Sequence, residues 1–385
     1  MSASKSTSMS PSRSATISDA RYMRLALALG QRHLGRTWPN PSVGAVVVAG
    51  PPGQERIVGQ GVTAPGGRPH GEPLALAQAG TAARGATLYV TLEPCSHHGR
   101  TPPCTEAIVA AGISRVVSAI EDPDPRVAGR GHALLREAGI VVETGLLAAE
   151  ARRDHIGHIR RIVSGRPAIH LKLAQTRDGF AAASGPERLR ITGPVADGAV
   201  HLWRAHADAI LVGIGTARAD DPSLTVRLPG LTQRSPQRVV LDSRLVLQPS
   251  SVLVRTAHDV PTLVLTTRGA PAHAKRMLES MGLEVVRVSE DGHGRVDLVA
   301  ALAALAERGL TRLCSEGGPR LADALAEADL IDLCTLMTGP AELGPARGLP
   351  AIGPHLRARL DGGGLVAIAA RTFGPDRAVT YERMP

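Results

Sequence analysis

One histidine and two cysteines, spaced as metal ligands, constrain this chain more than any other feature in it. His70 stands in His70-Gly71-Glu72, Cys95 in Glu93-Pro94-Cys95, and Cys104 follows after eight intervening residues. One imidazole and two thiolates suit a tetrahedral zinc whose fourth position is left to water. A zinc in that setting lowers the pKa of its water toward ~7. Glu72, two residues after His70 near the start of the same helix, is placed to carry a proton without ligating the metal. The plainer alternative makes His70 a surface histidine and the two cysteines small core residues. A purely structural zinc lacks a fourth ligand at suitable spacing, because Cys314 and Cys334 fall far along the chain and read as core cysteines.

At 385 residues the chain is too long for one core of ordinary size, which predicts two domains. Between residues 18 and 145 helical and strand-like stretches alternate. Ser18 is a plausible cap for a helix carrying Tyr22, Leu25, Ala26 and Leu29 at helical spacing. Strands are expected at 43–48, 56–62, 86–91, 115–120 and 140–143, and helices at 70–79, 105–111 and 131–138. An arginine-rich segment, 150–167, ends in Gly165-Arg166-Pro167 and marks the junction. A second α/β alternation follows, with strands at 168–174, 209–213, 238–242, 262–266, 284–288 and 330–337 and helices at 194–207 and 296–308. No internal repeat relates the halves, so they are different domains, residues 19–163 and 164–385.

Charge and composition narrow the choices. Lys and Arg total 44 against 35 Asp and Glu, a net charge of +9 that suits nucleic acid, membranes or anionic metabolites alike. Aromatic residues are only 2%, which counts against a surface that stacks bases. No apolar run approaches the roughly 20 residues of a membrane span. Residues 1–18 are Ser-rich and lack acids, as transit peptides do, but carry no amphipathic stripe, so they read as a disordered tail. Four cysteines make no disulfide framework, which fits a cytoplasmic chain. In the second half, Gly213-Ile214-Gly215-Thr216 lacks the third glycine of the dinucleotide fingerprint. Leu313 to Glu316, followed by Gly317-Gly318-Pro319-Arg320 and a helical run, is a better anion site, since free N–H groups and the helix dipole would face a phosphate.

The His-x-Glu, Pro-Cys and later Cys order is the zinc deaminase signature. Together with residues 38–45 (Trp-Pro-Asn-Pro-Ser-Val-Gly-Ala) and the unbroken run from Thr91 to Cys104, it resembles the bifunctional riboflavin-biosynthesis deaminase/reductase family. The second half is similar to that family's reductase domain through Leu171-Lys172-Leu173-Ala174, Asp178-Gly179, Ile191-Thr192 and the run 209–227. The resemblance covers nearly everything beyond residue 20. It implies a cytidine-deaminase-like domain followed by a dihydrofolate-reductase-like domain. One zinc per chain would be held by His70, Cys95 and Cys104, with Glu72 catalytic and Asn40 on the pyrimidine. NADPH would touch Ala174, Arg190, Thr216, Asp220, Ser243 and the turn Gly318, Pro319, Arg320, Leu321, Ala322, Asp323 and Ala324. The substrate of reduction would meet Lys172, Arg188, Arg204, Leu224, Arg227 and Glu316.

The implied chemistry is hydrolytic deamination of a diaminopyrimidinone ribosyl phosphate, then NADPH reduction of its ribosyl group to ribityl. The partner is this small molecule rather than nucleic acid or membrane, and a homo-oligomer stays open. Three departures from the family pattern stand out. Where it usually has His-Ala-Glu and a further His, this chain has Gly71 and Leu74; where it has Ser-x-Trp, Arg188 and Arg190 stand, with one extra residue. Pro73 is also unusual, but a proline in the first helical turn costs little. Rival readings are a nucleic-acid base deaminase, from the shared zinc motif and the charge, and a paralogue with one active domain or none.

Overall fold

The computed structural model describes residues 17–99, 101–183, 190–346 and 348–384; the expected tail up to residue 16, Arg100 and Arg188 lie outside these. The chain divides into two compact units. The first comprises the described residues to Arg32, Val43–Val62 and Pro69–Asp154, and the second His33–Ser42, Thr63–Arg68 and the chain from His155 onward.

In the first unit the elements are α1 (Ile17–Gln31), β1 (Gly44–Ala49), β2 (Arg56–Val62), α2 (Gly71–Ala79), β3 (Thr87–Val90), α3 (Cys104–Ala110), β4 (Arg115–Ser118), α4 (Arg130–Glu137), β5 (Val141–Thr144) and α5 (Ala148–Asp154). The sheet order is β2-β1-β3-β4-β5, antiparallel around β1 and parallel from β3 to β5. Strands β1 and β3 are buried almost throughout, as their aliphatic runs require. Arg115 on β4 joins Asp19 of α1 (2.8 Å) and Glu143 of β5 (2.9 Å), and the Tyr89 hydroxyl donates to the same Asp19 at 2.5 Å. This network ties α1 to one face of the sheet.

Helix α2 lies unusually close to β2 and β1 because glycines face one another. A Cβ on Gly61 would stand 2.0 Å from the Gly71 carbonyl oxygen, one on Gly59 2.1 Å from that of Ala75, and one on Gly71 2.5 Å from that of Val43. Gly71 therefore answers a spatial need in this chain. Leu74, at the other departure from the family pattern, is 36% exposed on the outer side of α2.

The second unit holds α6 (Ile156–Ser164), β6 (Ala168–Gln175), β7 (Phe180–Ala183), α7 (Pro194–Ala205), β8 (Ala209–Gly213), α8 (Ile214–Asp220), β9 (Gln237–Leu241), α9 (Val252–Arg255), β10 (Thr262–Thr267), α10 (Ala272–Ser280), β11 (Glu284–Val288), α11 (Leu298–Glu307), β12 (Arg312–Ser315), α12 (Pro319–Glu327), β13 (Leu333–Thr338), β14 (Gly348–Pro350), α13 (Pro354–Asp361), β15 (Leu365–Phe373) and β16 (Asp376–Arg383). Its nine strands run β11-β10-β9-β8-β12-β6-β13-β16-β15, parallel up to β13 and closed by an antiparallel hairpin. Two aliphatic cores cover the sheet, one around Leu171, Leu211 and Leu313, the other around Ile210, Val240 and Val264. The arginine-rich junction is largely helical, in α5 and α6. Arg160 and Arg166 of that stretch both reach Asp332, each at 2.6 Å. Among the described residues no helix is long and apolar enough to cross a membrane.

Candidate active sites

The first site forms where two helix starts meet the end of β3. His70 caps α2 in an extended conformation, Cys104 opens α3, and Cys95 follows Glu93-Pro94 beyond β3. The His70 Nδ1 lies 3.7 Å from Cys95 Sγ and 3.4 Å from Cys104 Sγ. All three ligand atoms lie within 4.8 Å of one another. Tetrahedral zinc with ordinary Zn–S and Zn–N bonds would set sulfur and nitrogen about 3.6 Å apart. The observed spacings bracket that value, so the trio fits a zinc. The Cys104 N–H donates to Cys95 Sγ at 3.2 Å. The Cys95 thiol is pushed down to about 4, chiefly through its hydrogen bond with the Cys104 thiol.

Glu72 is 3% exposed, and its Oε2 has no hydrogen-bond partner among the described residues. Burial raises its carboxyl above the usual range, with the neighbouring Cys95 adding to the effect. A buried carboxylate oxygen with nothing to accept from is costly unless a ligand supplies the proton.

Glu93 carries the backbone of the cysteine turn. Its carboxylate accepts the N–H groups of Asp122 (3.1 Å), Gly129 (2.9 Å) and His132 (3.2 Å), fixing the residue two before Cys95 to the segment leading into α4. Gly131 permits this approach, since a Cβ there would sit 2.2 Å from the Pro94 carbonyl oxygen. Glu93 stood in the motif, but nothing in its spacing from residues 122–132 announced the brace. It also groups with Glu121 and His132 at ligand distance, but its oxygens are already engaged by three backbone donors.

In the second unit, most of the expected residues gather at the carboxyl ends of four adjacent parallel strands. Ala174 lies on β6, Thr216 and Asp220 on α8 after β8, Ser243 after β9, and Glu316 with the glycine turn after β12. Such strand ends are where open α/β sheets take ligands. The Gly318 N–H donates to Thr216 Oγ1 at 2.9 Å, so the starts of α8 and α12 are hydrogen-bonded together. Pro319 and the exposed Arg320 open α12, and a Cβ on Gly317 would press on Leu321 at 2.6 Å.

Glu316 and Arg204 form a two-pronged ion pair, 2.6 and 2.8 Å, with side chains only 10% and 12% exposed. The third arm of Arg204 donates to the Thr225 carbonyl at 2.9 Å. Burial alone would raise the Glu316 carboxyl; Arg204, and after it Lys172 and His201, hold it below its ordinary value. The Arg204 fork is thus committed to Glu316, whereas Arg227 is exposed, with its guanidinium bonded to Ser223 Oγ at 3.0 Å.

Other expected residues are placed differently. The Leu224 side chain is 3% exposed within the second core, and Ala322 is 1% exposed. Asp323 accepts the Leu356 N–H at the start of α13, and Ser243 Oγ accepts that of Val296. Asn40 sits in the second unit and donates to the Gly67 carbonyl at 2.8 Å. Arg190 pairs with Asp197 at 2.6 Å on an open surface. Sequence reasoning missed His201, which accepts the Arg227 N–H at 3.4 Å and whose pKa is lowered by burial and then by Arg204. Its position one turn before Arg204 on α7 was the available signal.

A pocket of this ligand type beside a helix-borne carboxylate, joined to a parallel-sheet unit with a glycine turn, defines a zinc deaminase fused to an α/β reductase. Residues 16–120 match the cytidine and deoxycytidylate deaminase zinc-binding region, and residues 167–368 the RibD C-terminal domain. The chain is 40% identical to the riboflavin biosynthesis protein RibD of Escherichia coli strain K12 over 379 residues, covering 93% of this chain and 97% of that one. It is also 40% identical to RibD of Aquifex aeolicus, over 87% of this chain and 90% of the other. Among solved structures it is similar to Acinetobacter baumannii RibD, at 32% identity and a TM-score of 0.81 over 95% of this chain and 99% of that one. A Thermotoga maritima protein named as a diaminohydroxyphosphoribosylaminopyrimidine deaminase/5-amino-6-(5-phosphoribosylamino)uracil reductase gives 31% and 0.79 over 95% and 98%. The chain belongs to the RibD family of riboflavin-biosynthesis proteins and is a bifunctional deaminase/reductase. Membership implies zinc in the first unit and a nicotinamide cofactor in the second.

Proposed function

We propose that the chain deaminates a diaminopyrimidinone ribosyl phosphate at the His70, Cys95 and Cys104 pocket and then reduces the ribosyl group with NADPH, in the cytoplasm. The observation that carries this reading is the orphaned Glu72 oxygen beside three ligand atoms at zinc spacing. Zinc bound there supplies the Lewis acidity that makes water nucleophilic near neutral pH. Glu72 Oε2 receives the proton of that water and passes it to the departing amine. The braced Glu93 keeps Cys95 in register while this happens.

In the second unit NADPH supplies the hydride. The Thr216–Gly318 junction, with Ala174, Asp220, Ser243 and the turn 318–324, is the seat proposed for it, where backbone N–H groups and helix dipoles favour phosphate. Arg227 takes the substrate phosphate, while Lys172 and Glu316, the latter fixed by Arg204, orient the opened sugar. Arg190 can exchange Asp197 for a cofactor phosphate, because an exposed pair is worth only about 0–1 kcal/mol. The test is Glu72→Gln: zinc should stay bound while deamination falls on the order of 10²- to 10⁴-fold. Reduction of an already deaminated substrate should continue. A Glu72→Gln protein that deaminates normally would refute the assignment.

A further inference from the structure

We infer that Arg238 is a positioning residue for the reduction, holding the loop 221–227 in a backbone shape that the loop cannot keep alone. The inference rests on the reading that Arg227 of this loop meets the substrate.

Two residues of the loop, Asp221 (φ 38°) and Leu224 (φ 51°), stand in the left-handed region without being glycine. Such conformations are sparsely populated and last only where the surroundings impose them. Arg238, on β9, is fully buried and reaches the loop at Ser223, between these two residues. Its Nη1 donates to Thr256 Oγ1 (2.7 Å) and to the Ser223 carbonyl within the loop (3.3 Å). Its Nη2 donates to the carbonyls of Leu253 (3.2 Å), Thr256 (2.9 Å) and Val260 (2.7 Å).

The acceptors explain the arrangement. Helix α9 has only four residues, too few to persist on its own hydrogen bonds. Arg238 caps its carboxyl end, and Asp221 Oδ1 accepts the Val252 N–H at its amino end, at 2.7 Å. Loop, α9 and Arg238 thus close a ring in which each holds the next. No carboxylate is among the acceptors. An apolar side chain would be the cheaper occupant of a buried site, so a cation here answers a need for directed donors. Burial lowers its pKa to about 10, with Asp259 opposing, and it remains a cation at neutral pH.

The experiment compares Arg238→Met, Arg238→Lys and Arg227→Ala in the full zinc-loaded chain. Reduction of the deaminated pyrimidine by NADPH is followed, with deamination and circular dichroism as controls. Arg238→Met should raise the pyrimidine KM about tenfold or more, since misplacement of about 1 Å can cost as much as a hundredfold. The NADPH KM and deamination should stay near wild type. Arg238→Lys keeps the charge without the planar fork and should fall between. If Arg227→Ala raises the pyrimidine KM but a folded Arg238→Met does not, the role of Arg238 is overturned. If Arg227→Ala also leaves it unchanged, the loop is not the substrate's seat and both readings fail. An equal rise in both KM values in Arg238→Met marks general loosening and overturns the inference. Should Arg238→Met not fold, Arg238→Lys decides by the same split: a selective rise in the pyrimidine KM supports the role and an unchanged value sinks it.

Discussion

Replacing Gly71 by Ala should damage the deaminase and spare the reductase. The new Cβ would lie 2.5 Å from the Val43 carbonyl oxygen, where Cβ contacts under 3.0 Å are essentially never seen. Either α2 or β1 must therefore give by at least about half an ångström. The carbonyl belongs to backbone entering a central buried strand, and Gly61 behind it leaves no slack, since its own Cβ position is 2.0 Å from the Gly71 carbonyl oxygen. Overpacking of this kind costs about 1–3 kcal/mol. The displacement falls directly on His70 and Glu72, while Cys95 and Cys104 ride on other elements. Zinc sites tolerate distance errors of only about 0.2 Å. Deamination should drop about 10- to 100-fold, with less than one zinc retained per chain after dialysis against a mild chelator. Both quantities are read in one preparation by metal analysis and by ammonia release, with NADPH reduction as the internal standard. A Gly71→Ala protein with normal zinc content, deamination and Tm would refute the reasoning. It would show that the helix start has room the structure denies.

Glu316→Ala leaves the Arg204 guanidinium buried without its counter-charge and should cost about 3–5 kcal/mol in urea unfolding; a loss under about 1 kcal/mol, the value of an exposed pair, would mean solvent already screens it. His170 is pushed down to about 4 by burial and then by Arg312, so the unfolded chain binds its proton first as the pH falls below about 6.5. Stability should fall between pH 6.5 and 4 and level off below, by about 3 kcal/mol from this group, and His170→Gln should flatten that part of the profile. Cys104→Ser should lose zinc and deamination but still reduce a deaminated substrate, provided circular dichroism shows the first unit folded. Arg190→Ala should raise the NADPH KM at low salt and much less at high salt; unchanged values at both would leave Arg190 a partner of Asp197 only.

The cluster of His70, Cys95 and Cys104 with Glu72 beside it was legible because the chemistry dictates residue type as well as order. The parallel strands were legible because buried β-structure leaves aliphatic runs, and β8 and β10 fall where those runs lie. Harder to see were β15 and β16. Strand β15 is an exposed, alanine-rich edge with neither a two-residue nor a helical period to betray it. The junction helices α5 and α6 were hidden by their charge, of which Asp332, far along the chain, meets Arg160 on α6.

Amino-acid order by itself determined which side chains could do the chemistry and how many domains carry it, since both follow from residue type, spacing and length. Only the tertiary structure decided how those side chains are used. It committed the Arg204 fork, expected to meet the substrate, to Glu316, drew Glu93 onto three backbone donors, and made Gly71 a matter of space. It also set a buried Arg238 among carbonyls 15 to 22 residues away. The reason is that hydrogen bonds and steric limits act on distance in space. Residues such as Arg204 and Glu316, 112 positions apart, leave no mark of their meeting in a single sequence.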